Sequence, residues 1–290
     1  MADLHITMPM GLGDVHWVLM KMKAFREHVK PHRLIAHIAH GPHHRSTGFV
    51  ELTDFFDEVR VDNNGLRGVP NAYMDPKWST IDGSHGWHGF DFCFQANGHL
   101  ERGERIETWL PELETQFSYT LHTNLDRCKK ELGLSEPRIL LYPSGIGPNN
   151  GFKTNWRREQ WQAIVDLLNH HGHRPTFVGA DTQDDMGYMR ELRLSGDLEN
   201  LVGRTTTEEY LVLIQNCRAW FGLNSGGGIL SGMMGRSTVM LWSDSDHGGR
   251  LHPKMATSWL PLDQNWYHWF SYGKKGMEQE AAERLLEVLK

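Results

Sequence analysis

Cysteine is scarce in this chain: only Cys93, Cys128 and Cys217 occur among 290 residues, and none shares a C-x-x-C spacing. That excludes a disulfide framework or a thiolate zinc site as the organising feature, and it suits a reducing, cytoplasmic setting. Long apolar runs are missing as well; no stretch approaches the roughly 20 residues that cross a bilayer. Residues 1–10 carry neither a basic leader nor a small-residue cleavage site, so no secretory signal is read. Excess positive charge is absent: 30 Lys and Arg against 36 Asp and Glu leave a net charge of −6. Global charge therefore does not steer the chain toward nucleic acid, although a local basic groove stays open. No low-complexity tract or short internal repeat is present. What is present is enough chain for one large or two medium α/β domains. The 11 Trp, several beside glycine or polar residues as in "HGWHGFDF", suit ligand platforms as well as core.

Hydrophobic periodicity alternates between strand and helix along the chain. "DLHITMP" predicts a first strand, and "DVHWVLMKMKAFREHVK" a helix starting at Asp14, with Val15, Val18, Leu19, Met22 and Phe25 on one face. "RLIAHIA", "STGFVELTDFF" with a Ser46 cap, and "EVRVD" continue the pattern as strand, helix, strand. Residues 63–90 lack a period and read as long loops, "FDFCFQA" returns to strand, and 102–133 is expected to be mostly helical. From "RILLYP" the alternation restarts and runs through a helix closed by Gly172, one capped by Thr206 or Thr207, and the glycine-led "SGGGILSGMMG". The expectation is α/β, with two doubly wound Rossmann-like domains. These cover residues 1–135 and 136–275, joined near Ser135–Arg138, with a final helix over 276–290 that crosses back to the first domain or lies on the surface.

Ligands of such folds bind at the carboxyl ends of strands, where the next helix begins. "MGLGD" puts Gly11, Gly13 and Asp14 at such a point. Glycine admits close backbone approach, whereas an acid in a first helical turn serves equally well as a cap. "YPSGIGPNNGFKTNW" places Ser144, Gly145, Gly147 and Lys153 after a strand, and hydroxyl, amides and ammonium together suit a diphosphate. "GLNSGGG" brings Asn224, Ser225, Gly226, Gly227 and Gly228 to another helix N-terminus, either as an anion cradle or for tight helix–strand packing.

In order and spacing, "GLGDVHWVL", "LYPSG…FKTNW", "FVGADTQDD", "NLVGRTTTEEYLVLIQNCRAWFGLNSGGGILSGMMG" and "TVMLW" resemble the ADP-heptose:lipopolysaccharide heptosyltransferases of glycosyltransferase family 9. The resemblance covers most of the chain. It implies the GT-B fold, two Rossmann-like domains facing across a cleft, with acceptor bound by the first and nucleotide-sugar donor by the second. It implies inverting transfer to an acceptor hydroxyl, with Asp14 as general base and no metal or other cofactor. By the same resemblance Lys153 neutralises the leaving diphosphate, Ser144 and Gly145 hold phosphate oxygens, Asp181 contacts the donor ribose, and Thr205 lines the nucleoside pocket. The family's Asp-x-Gly-x-x-His pattern reads differently here, with Asn224 for the acid and Ile229 near the histidine position, which leaves the donor open.

On the acceptor side, Gly13 and His16 follow the glycine turn; His16 either faces the cleft or packs beside the helix. His85 and His88, among Trp87 and Phe90, form a stacking platform or a loop pinned by its aromatics. The cluster His37, His40, His43 and His44 lacks a carboxylate or thiol partner, which favours loop histidines over a metal site. The expected partners are a nucleotide sugar and a glycan or similar hydroxyl acceptor, with oligomeric state open. One alternative is a phage-type enzyme acting in the host cytoplasm on hydroxymethylated pyrimidines of DNA, with a groove of Arg67, Lys77, Arg102 and Arg105. Another, of a different class, is a non-catalytic nucleotide-sugar-binding protein.

Overall fold

A computed structural model describes residues 3–9, 11–39, 45–62, 92–94, 96–143, 156–180, 183–243, 255–272 and 276–290. The first strand, β1 (Leu4–Met8), runs through Pro9 toward α1 (Leu12–Val29). The helix starts behind a Gly11 N-cap, so Asp14 is its third residue rather than its first. Val15, Val18, Leu19, Met22 and Phe25 are all fully buried, as their spacing demands. Among the described residues, strands β2 (Leu34–Ala39), β3 (Glu58–Asp62) and β4 (Phe92–Cys93) join β1 in a four-stranded parallel sheet in the order β3-β2-β1-β4. Between β2 and β3 lies α2 (Arg45–Glu51), where Ser46 is buried inside the helix and is not its cap. Phe25 meets Phe92 and Phe94 edge-on at 5.2 and 5.0 Å, fastening α1 to the β4 edge.

The helical expectation for 102–133 is met only in a 3-10 turn at Ile106–Thr108 and in α4 (Leu125–Glu131), after the short α3 (Asn97–Glu101). Leu110 adopts a positive φ of 49° just before Pro111, which stops any helix there. The extended chain beyond it takes its hydrogen bonds from elsewhere: Gln116 N–H donates to Met20 O at 2.7 Å and His122 N–H to Leu52 O at 2.8 Å.

A second sheet holds β5 (Ile139–Tyr142), β6 (Pro175–Phe177), β7 (Glu199–Asn200), β8 (Ala219–Leu223), β9 (Ser237–Ser243) and β10 (Tyr267–Tyr272). All its pairs are parallel, in the order β10-β9-β8-β5-β6-β7. The helices are α5 (Arg158–His170), α6 (Gln183–Leu192), α7 (Thr207–Gln215), α8 (Gly226–Met233) and α9 (Met277–Val288). Thr206 caps α7 in a capping box: its Oγ1 accepts from Glu209 N–H at 3.2 Å, and the Glu209 carboxylate accepts from Thr206 N–H at 2.7 Å. Gly172, at φ +74°, follows α5 as expected. Trp161 anchors the core of this sheet, edge-on to Phe177 at 6.2 Å and to Phe221 at 6.0 Å.

The chain forms two compact units, Met1–Thr123 with Thr257–Pro261, and Asn124–Ala256 with Leu262–Lys290. The first ends before α4 rather than near residue 135, because α4 packs on α7 and Arg127 pairs with Glu208. The final helix α9 stays with unit 2, burying Met277, Ala281 and Leu285 against its core. The excursion into unit 1 is made instead by the five residues Thr257–Pro261. No helix among the described residues is long and apolar enough to cross a membrane.

Candidate active site

Strand order locates the candidate sites. In unit 1 the connectivity reverses between β1 and β4, and in unit 2 between β5 and β8; ligands of doubly wound sheets bind at the carboxyl ends beside such reversals. β1 leads there into Gly11–Asp14, and β8 into Asn224–Gly228.

Asp14 is half-buried in the first turn of α1, where the helix dipole favours its negative charge. Its carboxylate folds back over Gly11: a Cβ built on Gly11 would lie 2.0 Å from Asp14 Oδ2. Glycine is therefore required at the N-cap for the acid to take this position. Gly13, between them, is buried.

His16 packs beside the helix. Two residues beyond Asp14 it is turned about 200° around the helix, and it is only 3% exposed. Its Nδ1 contacts the Tyr119 hydroxyl, and its ring lies 6.1 Å from that of Phe49. Burial pushes the imidazole down to about 3, so it is neutral, and burial likewise raises the Tyr119 phenol above its ordinary value. His37 is also a sheet residue, with its Nε2 2.9 Å from His5 Nδ1 across β1 and β2.

In unit 2, Asn224 N–H donates to Leu241 O at 2.9 Å, fixing the start of the glycine loop against β9. Ser225 is the N-cap of α8; its Oγ accepts a long 3.5 Å bond from Gly228 N–H. A Cβ on Gly227 would lie 2.0 Å from Tyr210 Oη, and one on Gly228 2.2 Å from Met240 Cε and 2.8 Å from the Trp220 ring. Both glycines thus serve tight packing, whatever Gly226 and the helix terminus bind. Thr205 is half-buried immediately before the α7 cap, in a loop whose Gly203 N–H reaches Gly179 O at 3.4 Å. The loops after β6 and β7 therefore run side by side at the carboxyl edge of the sheet. Ser144, Gly145, Gly147, Lys153, Asp181, His40, His43, His44, Arg67, Lys77, His85 and His88 lie outside the described residues.

Two of the four cations of the basic groove are described, and both are engaged. Arg102 pairs with Glu104, while Arg105 pairs with Glu107 and donates to the carbonyls of Thr257 and Leu260. Among the described residues no group of three or more His, Cys, Asp and Glu is arranged to hold a metal ion.

Sequence reasoning passed over Lys21. It is fully buried, and its Nζ donates to Leu113 O at 2.8 Å and to Leu110 O and Glu107 O at 3.4 Å. Burial pushes its ammonium down to about 8, against the opposing pull of Glu107 and Glu112. The signal was its position three residues after Val18 and four before Phe25, on the buried side of the helix.

Residues 102–259, more than half of the chain, match the family model described as glycosyltransferase family 9 (heptosyltransferase). No curated protein sequence matches the chain. Among solved structures it resembles a family 9 glycosyl transferase from Veillonella parvula at 12% identity, covering 99% of this chain and 97% of that one with a TM-score of 0.66. It also resembles the ADP-heptose lps heptosyltransferase II of E. coli, at 14% identity and a TM-score of 0.65, over 100% of this chain and 98% of that one. The E. coli heptosyltransferase WaaC with ADP-2-deoxy-2-fluoro heptose is similar at 11% identity and a TM-score of 0.56, over 99% and 98% of the two chains. Two Rossmann-like units on parallel sheets, with these structural relatives, make the fold GT-B. The chain belongs to glycosyltransferase family 9 and is a glycosyltransferase.

Proposed function

We propose that this enzyme is an inverting, metal-independent transferase that moves a sugar from a nucleoside-diphosphate sugar to a hydroxyl of a glycan acceptor. Asp14 is the general base: its carboxylate takes the proton of the acceptor hydroxyl as that oxygen bonds to the anomeric carbon. The bond from that carbon to the diphosphate oxygen breaks with inversion, and the diphosphate leaves with the electron pair. Unit 1 binds the acceptor beside Gly13, with His85 and His88 as further contacts. Unit 2 binds the donor, with Ser144, Gly145 and Lys153 on the diphosphate, Asp181 on the ribose and Thr205 at the nucleoside. Cation and helix amides together carry the leaving-group charge without a metal ion. Two buried free thiols, Cys128 and Cys217, fit a cytoplasmic protein.

The observation that carries this reading is the position of Asp14: a half-buried carboxylate on the first turn of α1, at the strand-order reversal of unit 1. The structural relatives named for ADP-heptose point to that donor class. Asn224 and Ile229, where the family pattern has acid and imidazole, leave the sugar to be found by experiment. A thermal-shift screen of nucleoside diphosphates and their sugars is that experiment. A ligand at one hundred times its Kd stabilises the native state by about 2.7 kcal/mol. A rise in Tm with one diphosphate and its sugar is expected; a flat response to every nucleotide contradicts the reading.

A further inference from the structure

After Ala256 the chain leaves unit 2, spends Thr257–Pro261 in unit 1, and re-enters unit 2 at Leu262. Those five residues are gripped through their backbone. Arg105 donates from Nη1 to Thr257 O at 2.6 Å and from Nη2 to Leu260 O, and Glu107 holds the same guanidinium at 2.8 Å. Ile106 N–H donates to Ser258 O at 2.8 Å. Trp259, fully buried, brings its ring within 6.5 Å of Trp17. Trp17 follows Asp14 by three residues and Lys21 follows it by seven, so all three occupy one side of α1. Lys21 in turn is bound to the carbonyls of Glu107, Leu110 and Leu113. The side of the helix that begins with the candidate base is therefore held, over its next two turns, by the segment 105–113 and by the excursion.

We infer that Thr257–Pro261 is an anchor that sets the position of Asp14, with Arg105 as the positioning residue that clamps it. The inference rests on Asp14 being the base. Misplacement of a catalytic group by about 1 Å costs up to about 100-fold in rate, so a loosened anchor lowers kcat without touching donor binding. Only a planar fork reaches two carbonyls and a carboxylate at once, so lysine replaces part of the clamp and alanine none.

The test compares wild type with Arg105→Ala, Arg105→Lys and Trp259→Phe. It uses steady-state transfer kinetics and amide hydrogen exchange, at a temperature where each variant is folded. The expected result is a kcat about tenfold lower in Arg105→Ala with donor KM within about twofold, partial recovery in Arg105→Lys, and faster exchange confined to residues 12–17 and 257–261. Unchanged kcat, a raised donor KM, or exchange that quickens throughout unit 1 overturns it. Should Arg105→Ala not fold, Arg105→Lys and Trp259→Phe decide by the same criteria. If wild type transfers no sugar, the functional reading fails, and the local exchange pattern alone still decides whether the anchor holds α1.

Discussion

Gly227→Ala adds one methyl group where the fold has no space for it. The new carbon would lie 2.0 Å from Tyr210 Oη and 3.1 Å from Cζ, and Tyr210 is 2% exposed, so the ring cannot swing into solvent. Overpacking of this kind typically costs about 1–3 kcal/mol. Alanine's better helix propensity offsets at most about 1 kcal/mol, and less in a first turn. A net loss of about 1–2 kcal/mol follows, or a Tm lower by roughly 2–4 °C per kcal/mol for a chain of this size. The worst contact is a single hydroxyl oxygen, so Tyr210→Phe removes it while leaving the ring. Urea unfolding of the two single variants and the double variant closes a mutant cycle. The double variant is expected to be about 1 kcal/mol more stable than the sum of the singles. Additivity within about 0.3–0.5 kcal/mol would mean that the methyl does not meet this ring, and would refute the packing account of the glycine.

Two further predictions come from buried titratable groups. The folded state holds His16 down to about 3, below its ordinary 6.5, so the unfolded chain binds the proton first. Its contribution is complete above pH 6.5 and fades as pH falls toward 3. Stability from pH 7 to 4.5 should drop by roughly 2–3 kcal/mol more in wild type than in His16→Leu, and equal slopes in urea unfolding would contradict this. Lys21 is depressed to about 8 from 10.5, so the folded chain again binds fewer protons between those values, and stability rises as pH climbs. Unfolding measured at pH 8 and 9.5 should show a gain of roughly 2 kcal/mol that Lys21→Met lacks; the same gain in the variant would assign it elsewhere.

Much of the fold was legible because period and burial coincide. The five residues chosen as the buried face of α1 have no exposed surface, and the strand-helix alternation around Ala219–Leu223 places the Asn224–Gly228 turn at a strand end. Periodicity failed where tertiary contacts replaced local ones. The Leu and Glu spacing after Arg102 looks helical, yet Leu110 turns left-handed and the backbone beyond it bonds to Met20 and Leu52. β10 gives no alternating signal because "YHWFSY" puts apolar rings on both faces, as an edge strand with α9 packed on it permits. His16 stood open between two roles because its partner, Tyr119, is 103 positions away. Nothing local to Lys21 explains how its ammonium is buried; the carbonyls 86 to 92 residues downstream do.

The most direct test is the turnover of Asp14→Asn with the donor that the nucleotide screen identifies. The amide matches the carboxylate in shape and still fits over Gly11, but it cannot accept the acceptor's proton. General-base catalysis is worth about 10²–10⁴-fold, so kcat should fall by at least about 100-fold, with nucleoside-diphosphate affinity within about twofold of wild type. Turnover retained within a few-fold would contradict the assignment of Asp14 as the base.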